Sequence, residues 1–167
     1  RRSEAVCLVD MPVGRPASEQ AIRRCDGAAR GELRPRRAAS VFSPPCGGAL
    51  EARDFPEALR INRRETGRGI SLQAWHLLPK IREAAAWRGR ALLRESHPEV
   101  CFARLSGEPA RHPKRKREGR EERLRFLESV DSSVRASLAA SRAAISRSRA
   151  AIDDFLDAAI LAMAATK

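Results

Sequence analysis

The chain has no tyrosine, and its aromatic residues are two tryptophans and five phenylalanines among 167 residues. Proteins that hold single-stranded nucleic acid by stacking need rows of exposed rings, so this composition argues against such a platform. No apolar run approaches the roughly 20 residues that a helix needs to span a bilayer. The opening Arg1-Arg2-Ser3 is followed by neither an apolar signal region nor a small-residue cleavage site. A cytoplasmic protein without membrane spans is expected. The four cysteines, Cys7, Cys25, Cys46 and Cys101, contain no C-x-x-C pair, which argues against a zinc ribbon or a dithiol redox motif. Cys7 and Cys101 lie in or beside apolar segments and read as reduced core residues. No internal repeat and no sustained heptad occurs.

Lysine is also scarce. Of 33 basic residues only Lys80, Lys114, Lys116 and Lys167 are lysines. The excess of arginine, with abundant alanine, carries the imprint of GC-rich codon usage. The net charge of +12 nonetheless attracts polyanions, through Coulomb forces and counterion release. Nucleic acid or a phosphorylated ligand is the partner class this implies. The length suits one domain over residues 1–167 with a core of its own. The chain starts without Met and enters a strand at once, so an N-terminally truncated domain is expected.

Residues 4–9 are mostly apolar, as in a strand of a parallel sheet buried on both faces. Ser18 can cap a helix from Glu19 to Leu33. Residues 34–48, with Pro35, Pro44, Pro45, Gly47 and Gly48, read as a loop. A helix over Phe55–Thr66 carries Pro56 in its first turn and stops at Gly67. Ser71 caps the next helix, where Leu72, Trp75, Leu78 and Ile81 recur at helical spacing. Pro79 inside that pattern predicts a kink or break, and Trp75 and Trp87 read as core anchors. Residues 91–95 form a second strand. A short helix runs from Pro98 to Gly107, then a basic loop over 108–119, then a helix over Arg120–Val130. Residues 131–150 fit either a helix or a mobile linker. A last helix runs from Asp153 to Ala165. The pattern predicts an α/β fold with two parallel strands and a predominantly helical remainder.

Open α/β sheets place their chemistry at the carboxyl ends of strands. Asp10 ends the first strand. Glu95, His97 and Glu99 follow the second within five residues. Asp10 and Glu95 therefore fit a shared acidic site, although Asp10 can also serve a turn, and His97 and Glu99 a helix N-terminus. Asp154 and Asp157 share one face of the last helix. Asp153 and Asp154 also complement its N-terminus, whereas Asp157 lies among apolar residues and needs a partner if buried. Converging carboxylates require a cation, and oxygen ligands suit Mg²⁺. A pair of such ions is one standard arrangement for phosphodiester hydrolysis. Lys114, Lys116 and Arg120 fit either a solvated basic loop or a phosphate clamp.

Several segments occur in a specific order: Val9 to Gly14, Ser40 to Pro45, Gly69 to Trp75, Pro79 to Glu83, Glu95 to Phe102, Lys114 to Arg123 and Asp153 to Ala158. In this the chain resembles, over nearly its whole length, the bacterial domain-of-unknown-function 429 family, described as predicted nucleases with an RNase H-like fold. The resemblance implies a resolvase-like RNase H domain whose first strand, with its catalytic Asp, is absent here. It places Asp10 on the fourth strand, Glu95 on or after the fifth, and Asp154 or Asp157 on the final helix. The function expected is a nuclease using Mg²⁺ or Mn²⁺ held by Asp10, Glu95, Asp154 and Asp157, with His97 and Glu99 assisting and Lys114, Lys116 and Arg120 binding substrate. The alternatives are a non-catalytic nucleic-acid-binding or scaffold protein, and an enzyme acting on a small phosphorylated ligand.

Overall fold

The computed structural model describes residues 6–13, 23–87, 92–146 and 150–166. Two short strands, β1 (Cys7–Val9) and β2 (Leu93–Glu95), pair in parallel with Val9 opposite Glu95. The pairing extends one bond beyond each end: Cys7 N donates to Leu92 O at 2.9 Å, and Ser96 N to Val9 O at 3.0 Å. Both expected strands are present and parallel. The outer parts of the expected spans, residues 4–5 and 91, lie outside the described residues.

Between the strands run α1 (Arg24–Glu32), α2 (Phe55–Thr66) and α3 (Leu72–Ala86); two short 3-10 helices, Ala38–Ser40 and Gly48–Glu51, interrupt the loop after α1. The first helix was expected from Glu19, but Arg23 is extended and α1 begins only after it; residues 19–22 lie outside the described residues. The bounds of α2 follow from its ends. Asp54 accepts a hydrogen bond from Glu57 N, Pro56 sits in the first turn, and Gly67 closes the helix at φ 69°. Ser71 caps α3 by accepting from Ala74 N at 3.1 Å.

Three expectations for this region are corrected. Pro79 does not break α3, which runs unbroken through it. Pro79 faces solvent, where a carbonyl deprived of its N–H partner can turn to water. Leu72, the first residue of α3, is 58% exposed, and Trp87, just past its end, is 53% exposed. Both lie beyond the segment of α3 that buries Leu78 and Ile81. Trp75 does pack inward, edge-on to Phe55 at 6.2 Å.

After β2 come α4 (Pro98–Ser106), α5 (Arg117–Val130), α6 (Val134–Ala144) and α7 (Ile152–Ala165). Gly107 ends α4 at φ 90°, a conformation in which a Cβ would be strained. Helix α5 starts three residues earlier than expected, so the basic loop ends at Lys116. Within 131–150, residues 134–144 are helical and 147–149 lie outside the described residues.

The main core lies between α4, α5, α6 and α7: Phe102, Leu127, Val134, Leu156, Ile160 and Leu161 are buried there, and Leu8 of β1 packs against them. A second core of Leu50, Leu78 and Ile81 forms under α3, with Met11 against it. All four cysteines are free thiols. Cys101 is buried as expected, but Cys7 is exposed, because a two-stranded sheet covers little of either strand. Among the described residues no helix is long and apolar enough to cross a membrane.

Candidate functional site

Asp10 and Glu95 stand at the carboxyl ends of the two paired strands, and His97 and Glu99 open the helix that follows. Pairing of Val9 with Glu95 puts Asp10 one step on from Glu95 in the register. They meet different partners. Glu95 is gripped by Arg23, the residue preceding α1: Nη1 donates to Oε2 at 2.9 Å and Nη2 to Oε1 at 2.5 Å. The same guanidinium holds Asp26, which is 5% exposed, through Nε at 3.1 Å and Nη2 at 2.6 Å. Despite partial burial, these two carboxylates hold Arg23 more firmly protonated than an ordinary arginine. Val13 N also donates to Glu95, at 3.3 Å.

This cluster lines a cavity of about 310 Å³ with apolar walls that include Met11, Val41 and Phe42, and with Asp10 and His97 at its edge. Ligand atoms of Cys25, Asp26 and Glu95 lie within 4.8 Å of one another. That set could hold a cation, but Arg23 already supplies the positive charge there. Burial, reinforced by Asp26 and Glu95, pushes the Cys25 thiol up despite the nearby Arg23.

On the other side of Asp10 lies a second group. Glu99, 4% exposed, accepts from Arg123 Nη2 at 2.6 and 2.7 Å. Arg123 is 1% exposed, also donates to His112 O and Gly119 O, and lies over the Phe102 ring at 5.6 Å. Asp157 of α7 is 7% exposed. Its Oδ2 accepts from Lys114 of the basic loop, while Oδ1 is buried with no partner among the described residues.

Asp10 is exposed on its outer side, and among the described residues its carboxylate accepts no hydrogen bond. Partial desolvation raises its pKa above the ordinary 3.8. Glu95 and Glu99 add to that rise; His97 and Lys114 oppose it. Asp157 is raised for the same first reason, burial, partly offset by Lys114 and reinforced by Asp10 and Glu99. His97 Nε2 lies 3.3 Å from Ser40 O, and Nδ1 is buried without a partner among the described residues. A ring that donates from Nε2 keeps Nδ1 as an acceptor.

The structure therefore brings Asp10 within electrostatic reach of Glu95, His97, Glu99, Lys114 and Asp157, and Asp157 within reach of Lys114 and Glu99. It does not bring the rest. Asp154 is exposed on the first turn of α7, where its Oδ2 accepts from Ala151 N at 2.7 Å and satisfies a helix end. Lys116 is exposed at the start of α5, and Arg120 donates to Arg115 O at 2.7 Å. Neither has a described contact with the acids.

Sequence reasoning missed Arg23, Asp26 and Arg123. Arg123 carried one local signal, a cation at helical spacing on the same face as Leu127. Arg23 carried none, being one of many arginines whose partner is 72 residues away.

The donor set can be tested against a divalent cation. Three carboxylates are already neutralised, by Arg23, Arg123 and Lys114. Asp10, and the second oxygen of Asp157, Oδ1, which has no hydrogen-bond partner among the described residues, are left as oxygen donors of the kind a hard cation such as Mg²⁺ or Mn²⁺ takes. That set does not fit two. No curated protein and no solved structure matches the chain significantly. A family match spans residues 1–167, and the chain belongs to the family described as protein of unknown function (DUF429).

Proposed function

We propose that this chain carries the acidic site of a metal-dependent phosphodiesterase acting on nucleic acid, on an RNase H-like arrangement of strands and helices. The observation that carries the reading is a pair of carboxylates with oxygens left over: Asp10 at a strand end, and Asp157, whose buried Oδ1 has no partner among the described residues while Lys114 holds Oδ2. A divalent cation held there would supply a Lewis acid and an activated water. Glu99 and Arg123 fix the start of α4 and so the position of His97. Glu95 acts through Arg23 rather than as a free ligand. The net charge of +12 supports a polyanionic substrate.

A second reading, a nucleic-acid-binding protein without turnover, is favoured by the three carboxylates already paired with basic side chains. Labelled DNA and RNA oligonucleotides incubated with Mg²⁺ or Mn²⁺ separate the two. Cleavage that Asp10→Asn and Asp157→Asn each abolish supports the phosphodiesterase. Salt-sensitive binding with no cleavage by a folded protein supports the second reading. Cleavage that survives both substitutions rules out this acidic site as its source.

A further inference from the structure

The cations that neutralise the acidic site are held very differently. Arg23 makes four hydrogen bonds to two carboxylates. Arg123 is 1% exposed and is fixed by Glu99, two backbone carbonyls and the Phe102 ring. Lys114 has one hydrogen-bonded partner among the described residues, Asp157 Oδ2. It sits on the irregular loop between α4 and α5 and keeps 32% of its side chain exposed. A lysine ammonium is a compact charge on a flexible stem, whereas a guanidinium is a rigid fork. Lys114 also interacts electrostatically with Asp10. It is thus held on one of the two carboxylates assigned above to the cation and coupled to the other, and the Oδ1 of Asp157 has no hydrogen-bond partner among the described residues.

We propose that Lys114 is the resident counter-ion of the site, displaced from Asp157 when a divalent cation enters and then free to meet the phosphate. This rests on the reading of Asp10 and Asp157 as the cation's ligands. A divalent cation on Asp157 and an ammonium on the same carboxylate repel each other strongly at such short range. Without metal, Lys114 keeps the buried carboxylate neutralised, so the fold does not depend on loading. With metal, the released lysine adds positive charge where substrate would lie. Metal entry and substrate binding are thereby coupled through one side chain.

The test uses Mn²⁺ alone and the full chain. Calorimetric titration is run on the wild type, Lys114→Met, Lys114→Arg and Asp10→Asn, each checked for folding by circular dichroism. In parallel, the wild type is labelled with acetic anhydride with and without Mn²⁺, and modification of each lysine is read by peptide mass mapping. Lys114→Met should bind Mn²⁺ about tenfold tighter or more, since a neighbouring positive charge is gone, and Lys114→Arg should bind no tighter than the wild type. Labelling of Lys114 should rise with Mn²⁺ while Lys80 and Lys116 stay constant.

Unchanged or weaker affinity in Lys114→Met, with binding still lost in Asp10→Asn, overturns the role of Lys114 and leaves the cation site standing. Absence of Mn²⁺ binding in both the wild type and a folded Lys114→Met overturns the cation site and the inference together. If Lys114→Met does not fold, the labelling decides: increased reactivity of Lys114 supports the displacement, and unchanged reactivity at saturating Mn²⁺ overturns it.

Discussion

Arg123 and Glu99 form an ion pair between α5 and α4 that is almost wholly shut off from water, with 1% and 5% of their side chains exposed. Such a pair gains little over an apolar pair of the same size, but either half left alone is a buried, uncompensated charge. Arg123→Met or Glu99→Leu alone should therefore cost about 3–5 kcal/mol. The double change Glu99→Leu/Arg123→Met should cost clearly less than either single change. Urea unfolding of the four proteins gives the coupling directly. Additive losses would mean that the pair is not the linkage seen here.

The acidic site should leave a mark on stability against pH. Asp10 has its pKa raised in the folded protein, first by desolvation and then by Glu95 and Glu99. The folded state therefore binds that proton more tightly than the unfolded chain does. The contribution of Asp10 to stability falls as pH rises from its ordinary 3.8 through the raised value, and at neutral pH the ionised group is a net cost. Asp10→Asn should accordingly raise the melting temperature at pH 7, and the gain should vanish below pH 3.8. A melting temperature lowered at pH 7 would mean that the carboxylate has a partner that stabilises it.

Gly119 of α5 packs against the backbone of the basic loop. A Cβ added there would lie 2.1 Å from Pro113 O and 2.9 Å from His112 O, both backbone atoms. Gly119→Ala must push the loop that carries Lys114 away from the helix, at a cost of about 1–3 kcal/mol or more. Gly48→Ala meets chiefly the end of the Glu65 side chain, at 2.6 Å, which can swing aside. Thermal melts of the two variants should show the larger loss for Gly119→Ala.

The thiols divide into two classes. Cys7 and Cys25 are exposed, and Cys46 and Cys101 are buried. Titration of the native protein with a chromogenic disulfide should modify the first two, with the second two reacting only on unfolding. Burial raises the Cys25 thiol, so its reaction should be slow at neutral pH and speed up as the pH is raised.

What could be read in the chain was mostly local. Helix α2 was delimited by Pro56 and Gly67, whose chemistry at helix ends acts within four residues. Ser71 did the same for the start of α3, and the two apolar runs ending in acids identified the parallel strands. What could not be read was long-range. Arg23 meets Glu95 across 72 residues and Arg123 meets Glu99 across 24, and nothing in a run of arginines marks the one that is buried. Asp157 needed a partner because of its apolar neighbours, and Lys114 is that partner, but spacing alone could not select it over Lys116 two residues on. Trp87 and Leu72 misled because size and apolarity say that a side chain can be buried, not that the helix still faces anything at its ends. Pro79 misled because the penalty for proline depends on whether the orphaned carbonyl meets water.

The sheet has a further consequence. Each strand offers three paired residues, and both Asp10 and Glu95 are tied to that ladder within one step. A slip of two residues along the pairing, which keeps side chains on their own faces, would carry Asp10 about 6.6 Å along Glu95's strand. The distance between the two acids is thus an alignment gauge for the whole molecule. The two bonds outside the strands, Cys7 N to Leu92 O and Ser96 N to Val9 O, act as stops at either end of its travel.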